Sequence, residues 1–149
     1  MSEMLFQPDA EAHHSQESVR LVMDMSKLLV VDDSAFDRRL TLSILEKSPA
    51  YHVTSASDGK EALKSLEAGD FDLVITDLNM PEMNGLELVH EIQESHVDVP
   101  TIVITGFGSE ATAMRALQAG ACGYVPKCHL QDELGAVVET VLSTATRQR

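Results

Sequence analysis

Three short apolar runs constrain the fold of this chain more than any other feature: Leu28-Leu29-Val30-Val31, Leu73-Val74-Ile75 and Ile102-Val103-Ile104. A strand with one wet face alternates apolar and polar residues. These runs do not alternate, and two of the three are mostly β-branched, so they suit parallel strands covered on both faces. A weaker strand pattern lies at 51–56 (YHVTSA), and a short one at 123–126 (GYVP).

Helical patterns with readable ends fill the intervals. Ser34 can cap a first helix, with Asp37 three residues on and Phe36, Leu40 and Ile44 on one face. Asp58 followed by Glu61 starts a second helix, lined by Ala62, Leu63 and Leu66 and stopped by Gly69. Leu86, Val89 and Ile92 mark a third helix, and Ala113, Ala116 and Leu117 a fourth that ends near Gly120. Leu134, Val137, Val138, Val141 and Leu142 give a fifth the full amphipathic stripe. Five βα units in succession predict an α/β fold, a doubly wound parallel sheet with helices on both faces. In such sheets the working site lies beyond the C-terminal ends of the strands.

The chain's 149 residues, 44% of them hydrophobic, suit one folded domain with a real core. That domain is read as residues 27–147, and residues 1–26 as an N-terminal extension. In the extension, 15–26 (SQESVRLVMDMS) has the makings of a short helix and the first fourteen residues read as a flexible arm. The adjacent His13 and His14 lack further ligands, and Met25 would make a natural start for the domain. A net charge of −13 leaves no basic patch for nucleic acid. The chain has neither an apolar run of about 18 residues nor a secretory signal, so a cytoplasmic protein is expected. Cys122 and Cys128 are expected to be reduced, small packing residues, because an extended connection would hold them about 20 Å apart.

The strand ends carry the chemistry. Strand 1 delivers Asp32 and Asp33, strand 3 Asp77, strand 4 Thr105 and strand 5 Lys127. Two adjacent carboxylates leaving a hydrophobic strand repel one another, and a cation would relieve them. Three carboxylates around one pocket make an oxygen-rich site for a hard ion, best satisfied by Mg²⁺. The same charge would offset that of an incoming phosphoryl group, which Asp77 could attack while Thr105 and Lys127 met its oxygens. Singly, each residue has a plainer reading as a helix cap, a structural hydroxyl or a surface charge. Their arrival at one rim is what favours chemistry.

The pieces "LLVVDDS", "DLVITDLNMPEMNGLEL", "TIVITG" and "ALQAGACGYVPK" resemble the receiver domains of two-component response regulators, over residues 27 to about 145. The resemblance implies a flavodoxin-like sheet of order 2-1-3-4-5. It implies phosphoryl transfer from a histidine kinase or histidine phosphotransfer protein onto Asp77. By the same resemblance Asp33, Asp77 and the backbone carbonyl of Asn79 would bind Mg²⁺, with Asp32 acting through water. Thr105 and Tyr124 would form a switch pair and Lys127 an ion pair with the phosphoryl group. The readout would be the surface of helix 4, strand 5 and helix 5, reached through the loop "GFGS", whose Gly106 leaves the backbone free to move. Phe107 in that loop is expected to shield the acyl phosphate from water.

The chain departs from many receivers in two places: Cys128, where a proline often follows the lysine, and Gly123, where an acid is common. "GACGYVPK" is closer to the subgroup whose output is often a helix-turn-helix domain. Since the sequence ends at Arg149, the expectation is a stand-alone receiver or the receiver fragment of a larger regulator. A phosphorylation-independent pseudo-receiver is the rival reading within the family. A haloacid-dehalogenase-like phosphatase would need a D-x-D pair after strand 1, and a flavin module a phosphate-cradling loop; "VVDDSA" supplies neither. The expected protein signals rather than turning over metabolites. Its partners would be its kinase and a downstream target or fused output domain, with no membrane and with a phosphorylation-dependent homodimer as one form of output.

Overall fold

The computed structural model describes residues 25–95, 98–106 and 110–148. Its strands are β1 (Ser26–Val31), β2 (Tyr51–Ala56), β3 (Leu73–Asp77), β4 (Thr101–Thr105) and β5 (Gly123–Pro126). They alternate with helices α1 (Ala35–Leu45), α2 (Gly59–Ala68), α3 (Gly85–Glu94), α4 (Glu110–Gln118) and α5 (Leu130–Gln148), the last entered through a 3-10 turn, Lys127–His129. All five strands are parallel, in the order β2-β1-β3-β4-β5.

The non-alternating runs occupy the sheet interior for the reason that made them conspicuous. Successive residues point to opposite faces, and each face has its own helical layer. Leu28, Val30, Leu73, Ile75, Ile102 and Ile104 pack with Leu45 of α1 and with Leu134 and Val138 of α5. On the other face, Leu29, Val31 and Val74 meet Ala62 and Leu66 of α2 and Leu88 and Ile92 of α3, while Val103 joins Val89 of α3 and Ala116 of α4. The weaker pattern at 51–56 belongs to an edge strand, alternately half-buried and exposed until Ala56. No helix among the described residues is long and apolar enough to cross a membrane.

Local chemistry sets the helix ends. Ser34 Oγ accepts from Asp37 N (3.3 Å) and Asp58 Oδ1 from Glu61 N (2.7 Å). Asn84 and Glu87 form a reciprocal capping box at α3. After α4 the chain turns through Gly120, at φ +116, where Gly120 N donates to Leu117 O and Ala121 N to Ala116 O. Only glycine adopts that conformation without penalty, and the pair of bonds is the Schellman closure.

Four expectations need correction. Phe36 does not share a buried face with Leu40 and Ile44: it is 79% exposed, and the buried line of α1 is Thr41 and Leu45. Phe36 lies in the first turn of α1, just after the loop that leaves β1. Leu117 is likewise 40% exposed, leaving Ala113 and Ala116 to pack α4. Cys122 and Cys128 are free thiols as expected, but both are exposed and neither packs the core. At the N-terminus, β1 begins at Ser26, inside the segment read as extension. The helix expected over 15–26 lies outside the described residues apart from Met25, a bend, and Ser26. His13, His14 and Phe107 also lie outside them.

Candidate functional site

Where β1 ends, its hydrogen-bonding continues for one residue: Asp32 N donates to Ala56 O at 3.2 Å. That bond holds the Asp32 backbone in the sheet and leaves its side chain 2% exposed at the rim. Asp32 Oδ1 accepts from Ser34 N at 2.9 Å, and the Arg38 guanidinium donates to the Asp32 carbonyl at 2.7 Å. Asp33, next in the chain, is exposed.

Asp77 is the last residue of β3, the central strand of the sheet, and is also 2% exposed. Behind it the chain folds back tightly. Gly85 N donates to Leu78 O at 2.9 Å, and a Cβ on Gly85 would overlap the Asp77 carbonyl oxygen. Glycine is therefore required at that position by close approach of two backbones. Asn79 N donates to Asp77 Oδ1 at 3.4 Å, a long bond, and the Asn79 side chain lies over Gly106, where an added Cβ would be 3.6 Å from Nδ2.

One carboxylate oxygen each from Asp32, Asp33 and Asp77 lies within 4.8 Å of the others. Thr105, buried, closes β4 at the same end and pairs with Pro126; Lys127 follows at the end of β5. Its ammonium Nζ lies 3.3 Å from Asp77 Oδ2 and 3.0 Å from Asp37 Oδ2. The fold thus gathers Asp32, Asp33, Asp77 and Lys127 around one point and sets Thr105 beside them. Tyr124, one strand over and paired with Val103, keeps its side chain 41% exposed.

Asp37 is the member that sequence reasoning missed. It was visible only as an acid in the first turn of a helix, which favours negative charge there in any protein. Its contact with Lys127 spans 90 positions of sequence and depends on how α1 sits against β5.

The electrostatics are those of a crowded, partly dry group of acids. Burial raises the Asp32 carboxyl from 3.8 to about 6, against the Ser34 amide that favours its ionised form, and the Asp77 charge adds to the rise. Burial likewise raises Asp77, offset in part by Lys127 and the Asn79 amide, with Asp33 pushing the same way as burial. For Lys127, burial alone would lower the value, but Asp37 and Asp77 outweigh it and the ammonium is stabilised. Two buried carboxylates that resist ionisation, beside a third that faces water, suit a hard divalent cation approaching from the Asp33 side. The donor set is all oxygen, which fits Mg²⁺.

Comparison with known proteins places this arrangement in context. The family model of the response regulator receiver domain matches residues 28–139. Chemotaxis protein CheY1 of Helicobacter pylori J99 is 40% identical over 121 residues, spanning 79% of this chain and 98% of its own length. A protein-glutamate methylesterase/protein-glutamine glutaminase of Treponema denticola is 33% identical over 108 residues, which make up 70% of this chain but 29% of that protein. The crystal structure of a response regulator receiver domain protein from Clostridium thermocellum matches with a TM-score of 0.76 at 26% identity, covering 84% of this chain and 100% of that one.

Proposed function

The chain belongs to the response regulator receiver domain family, and on that basis we propose that Asp77 accepts a phosphoryl group from a histidine kinase or histidine phosphotransfer protein. The observation that carries this reading is the position of Asp77. It is a nearly inaccessible carboxylate at the end of the central strand, with Asp32 and Asp33 oxygens within 4.8 Å and the Lys127 ammonium 3.3 Å away.

Asp33, Asp77 and the Asn79 carbonyl would hold Mg²⁺ directly, and Asp32 through water. Bound there, the ion supplies positive charge against the phosphoryl oxygens. An Asp77 carboxylate oxygen attacks phosphorus. The donor's phosphorus–nitrogen bond breaks, its electron pair returns to the imidazole, and an acyl phosphate remains on Asp77. Lys127 meets one phosphoryl oxygen as an ion pair, and the Thr105 hydroxyl donates to another. As Thr105 moves in, the Tyr124 ring turns inward behind it, and the backbone at Gly106 yields.

Output then passes to the face formed by α4, β5 and α5. Exposed Met114, Leu117 and Tyr124 support that assignment, because they lie on these elements and give a partner apolar surface to cover. The recipient is a downstream protein, a fused output domain or a second copy, in a cytoplasmic setting. The domain assists its own phosphorylation and slowly hydrolyses the product, and it turns over no free metabolite.

Treatment with acetyl phosphate and Mg²⁺ followed by intact-mass measurement tests the reading. One added phosphoryl group is expected, lost in Asp77→Asn and lost when the metal is chelated. No gain in mass would leave the pseudo-receiver as the better description.

A further inference from the structure

The Lys127 ammonium is not reserved for Asp77. It lies nearer to Asp37 Oδ2, at 3.0 Å, than to Asp77 Oδ2, at 3.3 Å. Asp37 is well fixed for this contact. Its backbone N–H donates to Ser34 Oγ at 3.3 Å, and its carbonyl accepts from Thr41 Oγ1 at 3.1 Å. The first turn of α1 therefore presents one carboxylate to the end of β5, across the mouth of the acceptor site.

We propose that Asp37 is a positioning residue that acts as a brake on phosphorylation, by holding Lys127 in an ion pair that the incoming phosphoryl group must loosen. The inference rests on Asp77 being the phosphoryl acceptor. A phosphoryl group adds negative charge at Asp77 and oxygens that need donors. Lys127 has three N–H donors, and Asp37 and Asp77 already draw on two of them. As charge builds on the phosphoryl oxygens, the ammonium can serve them fully only by giving up Asp37. Each side chain of that pair is about one-third exposed, 34% for Asp37 and 33% for Lys127, so the pair is weakened by solvent and the restraint is moderate. Neutralising Asp37 should free Lys127 while leaving the side chains of Asp32, Asp33 and Asp77 unaltered; its charge also bears on Asp32, but less than that of Asp77 or Lys127.

The test is the rate of phosphorylation by acetyl phosphate at fixed Mg²⁺ and ionic strength. Asp37→Asn is expected to gain the phosphoryl group roughly two- to fivefold faster than the parent, in keeping with an ion pair whose side chains are each about one-third exposed. Asp37→Glu, which restores the charge, should return toward the parent rate. In a Lys127→Met background the same Asp37→Asn change should alter the rate by less than about twofold, since the brake works only through the lysine. Asp37→Ser keeps a helix-favouring hydroxyl in the first turn and stands in for the asparagine variant should that one fold poorly. An unchanged or slower rate in the folded, neutralised variant overturns the brake. So does an equal acceleration without Lys127, which would mean that Asp37 acts by direct repulsion. A parent protein that takes up no phosphoryl group at all removes the acceptor assignment and the brake with it, whereas a phosphorylated parent with an indifferent Asp37→Asn removes the brake alone.

Discussion

At the N-terminal ends of the strands, Leu28 and Leu73 are fully buried, and the hydroxyl of buried Thr101 has no hydrogen-bond partner among the described residues. At the C-terminal ends, Asp32 and Asp77 are almost as inaccessible, yet both carry ionisable groups and each has partners: a main-chain amide for Asp32, an amide and Lys127 for Asp77. The same five strands supply both ends, so inaccessibility alone does not make a site. At one end the polar atom is isolated, as an incidental cost of a threonine in a strand. At the other, polar groups from three strands and a helix converge, and the cost of burying each depends on its neighbours.

Variants at the two ends should separate these cases, beginning with the largest effect. Ile75→Ala, in the apolar body of β3, should cost about 3 kcal/mol of stability by denaturant titration, because it opens a cavity between the sheet and the layer of α1 and α5. A loss near zero would mean that the body is loosely packed and that the contrast is false. Gly85→Ala brings a methyl group against the Asp77 carbonyl and within 2.8 Å of Leu78 Cα, and neither is a flexible side chain. A loss of about 2 kcal/mol is expected, together with weaker Mg²⁺ binding by titration calorimetry as the turn behind Asp77 is forced open.

Asp32→Asn should change stability in the opposite direction. Folding raises the Asp32 value to about 6, so the fold favours the protonated acid. Metal-free parent protein should thus lose stability as pH climbs from about 4 to 6 and carry the full cost above that. Asparagine removes the cost, by about 1–2 kcal/mol at pH 7 and by nothing below pH 4, in thermal melts run with chelator. Added Mg²⁺ should stabilise the parent more than the variant, and its affinity for the parent should rise with pH across the same interval. A variant that is less stable at pH 7 would show that the acids at the rim do not strain one another. The smallest effect belongs to the other end: Thr101→Val should gain about 1 kcal/mol, because it exchanges an unpartnered buried hydroxyl for a methyl group of similar shape.

Much of this contrast was legible in the residues. Non-alternating runs marked β1, β3 and β4 because a strand covered on both faces has no reason to alternate. The site acids were legible for a related reason, since in a parallel sheet the residue after each run must lie on the same rim as the others. Rotation about a helix axis was not legible. Spacing shows which residues share a face, but not which face meets the sheet: the apolar Phe36 lies open to solvent while Thr41 is buried. Asp37 was missed for the same cause, because its partner is fixed by the docking of α1 and not by anything near it in sequence. The capping box of Asn84 and Glu87 is readable from its spacing, an amide-bearing cap with an acid three residues on.

Every residue of β3 is buried, and the strand is flanked on both sides. Asp77 is consequently mounted on a part of the domain with little room to yield, pinned sideways by neighbouring ladders and from behind by the Gly85 turn. A change of charge there cannot be absorbed by shifting the post that carries it. The displacement would be taken up by groups with room to travel: the long arm of Lys127, the backbone of Gly106 and the half-open ring of Tyr124. Rigidity beneath the acceptor is thus what would export a local event to the surface.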